Sequence, residues 1–587
     1  MNPVEKLRKL MEREKIDALL ITKFDPHQSE DAADYWNSVQ FVSGFTGSSG
    51  AVAITKGHAG LWTDGRYYIQ AQREISGCGL ELHKASEPGE KSYLEFAKDS
   101  APPGGVIGFD GRTVSAEEAA KLQRLAKGKK ITLKSDVDLV GEIWADRPED
   151  AKYPILDHPV AFSGMPREEK LKIIYQKMAQ MDADAYVISS LDDIAWLLNL
   201  RGGDLQRSTL FKAFLVLESE KASLFADLDE IAGVKEILER AGVRVFSYDE
   251  LWKCVSSLDS RFSVMYAPAK TCWSIVESIK GDKIDIDVDE TEILKSVKNK
   301  AELECLERIN VRDGAAMVRF LKWIKENAGR EHITEYDIDA KLREFREMGE
   351  NYICPSFTAI AGYMANAAMM HYSAEKGSAA SILAEGFLLV DSGGHYWDGT
   401  TDITRTIALG TLSPDMKRDF TLVLKGHIAL AKTVFLYGAT GSNLDIAARL
   451  PLWERGIDYK SGTGHGIGFC LCVHEGPARI SMKPNRFFLE PGHILTNEPG
   501  IYREGLYGIR TENTLVVEEH VETEFGRFLK FRTISLCPID SAAIDFEILT
   551  EDERQWLNSY HRMVFEKLSP VLSEDEKAWL EVAVAEV

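Results

Sequence analysis

The chain has 587 residues, too many for one hydrophobic core, so about three or four domains are expected. Apolar content of 44% and charged content of 28% are those of a soluble globular protein. Seventy basic residues against 92 acidic ones give a net charge of −22, which argues against nucleic acid or an anionic membrane surface as partner.

No run approaches 18 consecutive apolar residues, so no membrane-spanning helix is expected. The opening stretch, MNPVEKLRKLMEREKIDALL, lacks the apolar centre of a signal peptide; Val4, Leu7, Leu10 and Met11 mark one face of an amphipathic helix instead. The eight cysteines are scattered, and the nearest pair, Cys470 and Cys472, lacks C-x-x-C spacing. Reduced thiols in a cytoplasmic protein are the expectation.

Ala18–Thr22 reads as a buried strand. After a glycine-punctuated turn at 41–50, Ala51–Ile54 and Gly60–Gly65 read as paired strands, with Arg66-Tyr67-Tyr68 opening a helix. The same order returns from about residue 166. Leu171, Ile174 and Met178 mark a helix, Asp184–Ile188 a strand, and Phe211–Leu217 with Ala222–Asp227 a strand pair. The phrase Asp17-Ala18 recurs as Asp184-Ala185, an offset of 167 that points to internal duplication. Two related α/β domains are expected, at 1–157 and 158–297, joined by the segment dotted with Pro148, Pro154 and Pro159.

A third domain, 298–587, opens with Asn299 as cap of a helix through Leu303, Leu306 and Ile309 to Ile324. Thr334-x-x-Asp337, Thr550-x-x-Glu553 and Ser573-x-x-Glu576 are capping boxes ahead of three further helices. Trp556, Tyr560, Met563 and Val564 share a helix face, and packing on their own domain is favoured over a dimer contact.

The chemistry lies between Asp391 and Glu512. Asp391 ends the apolar run Phe387–Val390, where a buried charge is costly unless paired or metal-bound. Asp402 alternates with Thr404 and Thr406, and the Gly393-Gly394 and Asp398-Gly399 turns let the two segments fold back as a hairpin. Arg510, Glu512 and Thr514 alternate in the same way, and are expected on one strand. Glu498 precedes Pro499-Gly500, and His465 lies between Gly464 and Gly466, where backbone can approach closely. Four carboxylates and one imidazole balance two divalent cations. Such an oxygen-rich set suits Mn²⁺, with Co²⁺ or Zn²⁺ as alternatives. No G-x-S-x-G, H-E-x-x-H or G-x-G-x-x-G pattern is present, which removes the serine-hydrolase, zincin and dinucleotide readings.

The blocks DSGGHYWDGTTDITRT, GTGHGIGFCLCVHEGP, NEPG and GIRTEN resemble those of the Xaa-Pro aminopeptidases (aminopeptidase P), in the pita-bread metallopeptidases that include methionine aminopeptidase and prolidase. FVSGFTGSSG, LWTDGRYYIQA and DDIAWLLNLRG resemble the first two domains of the long, three-domain cytosolic form. The resemblance implies two creatinase-N-like α/β domains before a pita-bread catalytic domain with a C-terminal helical extension. It implies Asp391, Asp402, His465, Glu498 and Glu512 as metal ligands, with Asp402 and Glu512 bridging. It also implies His371 and His474 as substrate-contacting, proton-handling residues, and Arg510 as a partner of the last ligand. His395, where relatives often carry Gln, is left as structural. The implied reaction is attack by a metal-bridging hydroxide on the carbonyl before a penultimate proline, in a homodimer formed through the C-terminal domain. Prolidase activity on Xaa-Pro dipeptides, and a non-catalytic peptide-binding role, are the competing readings.

Overall fold

A computed structural model describes residues 2–149 and 151–587. By the packing of the chain it forms two compact units, Met1–His158 with Met165–Thr291, and Pro159–Gly164 with Glu292–Val587. The expected linker region thus contributes its short helix Val160–Ser163 to the second unit.

The first unit contains two six-stranded mixed sheets. In the first, Ala18–Thr22 pairs antiparallel with Ala51–Thr55 and parallel with Val106–Gly108. The sheet continues through Ala59–Thr63 to Glu81–Lys84 on one side and to Thr132–Lys134 on the other. In the second, Ala185–Ile188 takes the central place, antiparallel to Ala213–Glu218 and parallel to Ser263–Tyr266. Lys221–Ala226 and Val243–Ser247 extend one side, and Asp282–Asp285 the other. Strand order and direction match throughout, and Ala18 and Ala185 occupy equivalent places at the offset read from the sequence. The opening helix, Pro3–Glu14, is capped by Asn2 and buries Val4, Leu7 and Met11. Its apolar stripe packs where its periodicity directs it.

The second unit is α+β, with every strand pairing antiparallel. A 28-residue helix, Lys300–Asn327, starts at a reciprocal Asn299/Glu302 capping box and buries a stripe from Cys305 to Ile324. The boxes at Thr334, Thr550 and Ser573 open helices Glu335–Arg346, Glu551–Leu568 and Glu574–Ala583. Strands Ile360–Tyr363, Phe387–Ser392 and Ile403–Ala408 form one sheet. A larger six-stranded sheet contains Gly464–Gly466, Ile494–Asn497 and Asn513–Thr523. Tyr560 turns inward, with its hydroxyl among Arg405, Asn513 and Cys537, so this helix face packs on its own unit.

One local expectation fails. Arg510 and Glu512 do not share a strand with Thr514: Tyr507–Arg510 pairs with Gly500–Arg503, and a new strand begins at Asn513 in the six-stranded sheet. The chain crosses between sheets at Thr511-Glu512, held by Thr511 N–H to Pro499 O at 3.4 Å and Glu512 N–H to Thr404 O at 3.2 Å. Alternation alone does not reveal this break, because its hydrogen bonds go to partners distant in sequence.

Candidate metal centre

Asp391 sits near the end of the buried strand Phe387–Ser392, directly opposite Thr404 in an antiparallel register. Asp402 lies just before the partner strand Ile403–Ala408. The turn between them folds into its own small ladder, Gly394–Tyr396 with Gly399–Thr400. A Cβ on Gly393 would lie 1.9 Å from the carbonyl oxygen of Thr401, so only glycine lets this hairpin close.

His465 occupies the strand Gly464–Gly466. Added Cβ atoms at its neighbours would meet Thr496 O at 1.9 Å and Glu475 O at 2.4 Å, which accounts for a glycine on either side. Its Nδ1 is 2.8 Å from Gly466 O. Because a carbonyl only accepts, that nitrogen carries the hydrogen and Nε2 keeps its lone pair. Nε2 stands 3.4 Å from Asp402 Oδ2 and 3.8 Å from Glu498 Oε1. Glu498 occupies the turn between Ile494–Asn497 and Gly500–Arg503, with its N–H on Thr463 O. Glu512 lies at the sheet crossing and accepts from Thr404 Oγ1 at 2.7 Å. Donor atoms of Asp402, His465 and Glu512 all lie within 4.8 Å of one another.

Arg510 ties Asp391 into this group. Its Nη2 donates to Asp391 Oδ2 at 2.6 Å, Nε to Thr404 Oγ1 at 3.1 Å, and Nη1 to Tyr502 Oη at 2.7 Å. One guanidinium cannot balance the carboxylates around it. Burial, opposed by Arg510 and reinforced by Asp402 and Glu498, pushes the Asp391 carboxyl up to about 7. Burial and the charges of Asp402, Asp391 and Glu498 push Glu512 well above the usual carboxylate range. Asp391 Oδ1 and Asp402 Oδ1 are buried with no hydrogen-bond partner. Enclosed, mutually repelling carboxylates with open oxygen lone pairs, beside an imidazole whose Nε2 faces them, fit divalent cations.

Comparison with known proteins gives the same direction. Models of the creatinase/prolidase N-terminal domain match residues 3–140 and 146–302, metallopeptidase family M24 matches 304–519, and the C-terminal region of peptidase M24 matches 527–587. Aminopeptidase P2 of Arabidopsis thaliana is 36% identical, the alignment covering 96% of this chain and 85% of that protein. A probable Xaa-Pro aminopeptidase P of Coprinopsis cinerea is 35% identical over 98% of this chain and 96% of its own. The chain belongs to the aminopeptidase P branch of metallopeptidase family M24. The crystal structure of X-prolyl aminopeptidase from Caenorhabditis elegans, described as a cytosolic enzyme with a di-nuclear active site, superposes with a TM-score of 0.95 at 32% identity, covering 100% of this chain and 99% of that one. The Xaa-Pro dipeptidase from Bacillus anthracis shares the fold over 64% of this chain and 98% of its own, at 23% identity and a TM-score of 0.50.

Beside this cluster, the His474 ring stands edge-on to His465, with centroids 4.3 Å apart and planes at 86°. His371 follows the short helix Met364–Ala368, and the carbonyl of its neighbour Met370 lies 3.4 Å from Arg510 Nη1. His395 is buried inside the small ladder, with Nδ1 3.0 Å from Thr400 Oγ1. Sequence reasoning overlooked Tyr502, Thr496 and Glu335. Thr496 Oγ1 accepts from His465 N–H at 3.0 Å. Buried Glu335 accepts from Tyr363 N–H at 2.7 Å, Asn366 Nδ2 at 3.1 Å, Tyr372 Oη at 2.8 Å and Ala380 N–H at 2.8 Å, and so fastens both ends of the segment carrying His371. The Thr496-x-Glu498 spacing was a readable hint for one of them; the others offered none.

Proposed function

We propose that this chain is a metal-dependent Xaa-Pro aminopeptidase, hydrolysing the bond between an N-terminal residue and a penultimate proline. The observation that carries this reading is the whole-length likeness to aminopeptidases P, joined to a buried carboxylate–imidazole cluster suited to cations. In this reading Asp391, Asp402, His465, Glu498 and Glu512 would hold two divalent ions. Ions bound there would supply an acidified water and polarisation of the scissile carbonyl. The oxygen-rich donor set favours Mn²⁺.

The chain's own residues do the rest. Arg510 opposes the upward push on Asp391 and orients it while holding the Met370 carbonyl, so the metal pocket and the His371 segment share one tether. His465 is held in the tautomer that offers Nε2. His371 and His474 contact the peptide and move protons to and from it, a task that imidazole performs well near neutral pH. Proline has no amide hydrogen, so selection at the second position works through ring shape rather than through an N–H contact.

A homodimer through the C-terminal unit and a cytoplasmic location complete the proposal. Exposed Val434, Leu436, Tyr437, Ile446, Leu450 and Trp453 supply apolar surface for such an interface. Hydrolysis of an Xaa-Pro-peptide compared with an Xaa-Pro dipeptide tests the activity. Release of the first residue from the longer peptide is expected, and activity confined to the dipeptide would mean a prolidase.

A further inference from the structure

Outside the catalytic unit, two imidazoles face each other at the edge of the first six-stranded sheet. His58 stands before the strand Ala59–Thr63, and His83 lies on Glu81–Lys84, paired with Trp62 in the parallel ladder. Their Nε2 atoms are 3.1 Å apart. Two nitrogens bound to one tetrahedral ion, at bonds of about 2.0–2.1 Å, would be separated by about 3.3–3.4 Å. Glu81 adds a carboxylate, with Oε2 3.6 Å from His58 Nδ1. One donor atom from each of the three residues lies within 4.8 Å of the other two.

The His83 ring is held for this arrangement. It stacks on Trp62 at 4.0 Å with planes 5° apart, and it fills the space over Gly60, where a Cβ would come within 2.6 Å of its Cδ2. Its Nδ1 donates to Glu90 Oε1 at 2.7 Å, which leaves Nε2 as the free-lone-pair nitrogen. A carboxylate behind an imidazole is the usual outer support of a metal-binding histidine, fixing its tautomer and raising its basicity. His58 and His83 keep part of their side chains open to solvent, and Glu81 is mostly exposed, so an ion has a path in.

We infer that His58, Glu81 and His83 form a second metal site, separate from the M24 centre, that takes one divalent transition ion of the imidazole-preferring class, Zn²⁺ foremost. Water completes the coordination. Uptake shifts the one ring hydrogen of neutral His58, which otherwise lies between the two Nε2 atoms, to its Nδ1, so that both Nε2 lone pairs face the ion. The donor set is richer in nitrogen than the catalytic one, so the two sites differ in preference: imidazole favours zinc, copper and nickel, carboxylate favours manganese.

The test is equilibrium dialysis of the full-length protein against Zn²⁺, followed by elemental analysis. Wild type should retain one zinc more per chain than His83→Gln or His58→Gln. Glu90→Gln should keep the site with roughly tenfold weaker affinity, the size expected for loss of an outer partner. Cu²⁺-loaded wild type should also show an electron paramagnetic resonance signal with nitrogen hyperfine structure that His83→Gln lacks. Circular dichroism and turnover of the variants should match wild type, which separates a lost site from a lost fold. Equal zinc content in wild type and both histidine variants would overturn the inference and leave the pair sharing only a hydrogen.

Discussion

Arg510 reaches Asp391 at 2.6 Å on one carboxylate oxygen and leaves the other, Oδ1, buried with no protein donor. A pair built only for stability would satisfy both oxygens; this one holds the carboxylate in place while keeping a lone pair available. The same guanidinium bonds Thr404, whose hydroxyl bonds Glu512, so two separated carboxylates are oriented through one cation.

Arg510→Lys should therefore act on metal retention before it acts on folding. A lysine keeps the charge but cannot reach Asp391, Thr404 and Tyr502 together. Metal affinity and turnover should fall by about 10–100-fold, the range for loss of an outer-sphere partner. Titration of the metal-stripped variant with Mn²⁺, following turnover, checks this. An unchanged affinity would show that Arg510 does not hold the ligand.

Glu335 leads to a different prediction, because its hydrogen bonds go to Tyr363, Asn366, Tyr372 and Ala380 and not to the clustered carboxylates or His465. Glu335→Ala removes the acceptor that ties Tyr363, Asn366, Tyr372 and Ala380 to one point. The His371 segment should then lose its fixed position, lowering kcat at least tenfold while metal content stays at the wild-type level. Leaving buried donors unpaired also costs about 1–3 kcal/mol each, so a lower Tm is expected alongside. Metal loss in step with kcat would assign Glu335 to the fold of the centre instead.

Acid should destabilise the catalytic unit through buried histidines. Burial, reinforced by Arg405, lowers His427 to about 3 and His561 to about 4; burial and Lys298 lower His493 to about 4. These rings stay neutral in the fold, whereas the unfolded chain takes up protons below about pH 6.5. Their contribution is fully present above pH 6.5 and is lost as pH falls through the folded values, at up to a few kcal/mol each. Urea unfolding between pH 7.5 and 4.5 should show stability falling with pH below 6.5, and His427→Gln should shallow that slope. Parallel slopes for both proteins would contradict it.

Much of this was readable from local pattern. Asp391 stood out because a carboxylate closed an apolar run, and the repeated helix–Asp-Ala–strand phrase led to two sheets of matching order. Capping boxes located the helix starts because they need only three or four consecutive residues. Glu512 lies beside Asp402 and His465 but not on the strand its alternation suggests, since its backbone partner, Thr404, is fixed by tertiary contact alone. Glu335 gave no signal: an acid in the first turn of a charged helix reads as a dipole partner, and only the segment Tyr363–Ala380 folding over it makes it a buried clamp. Tyr502 is invisible for the same reason.

Peptide hydrolysis is expected to depend on ions held by Asp402 and Glu512. Elemental analysis and turnover of an Xaa-Pro-peptide, measured together on wild type, Asp402→Ala and Glu512→Ala after Mn²⁺ loading, test it most directly. Two ions per wild-type chain are expected at this centre and fewer in each variant, with turnover reduced by about 10³-fold, the scale of losing a main electrostatic stabiliser. Full manganese-dependent turnover in either variant would contradict it.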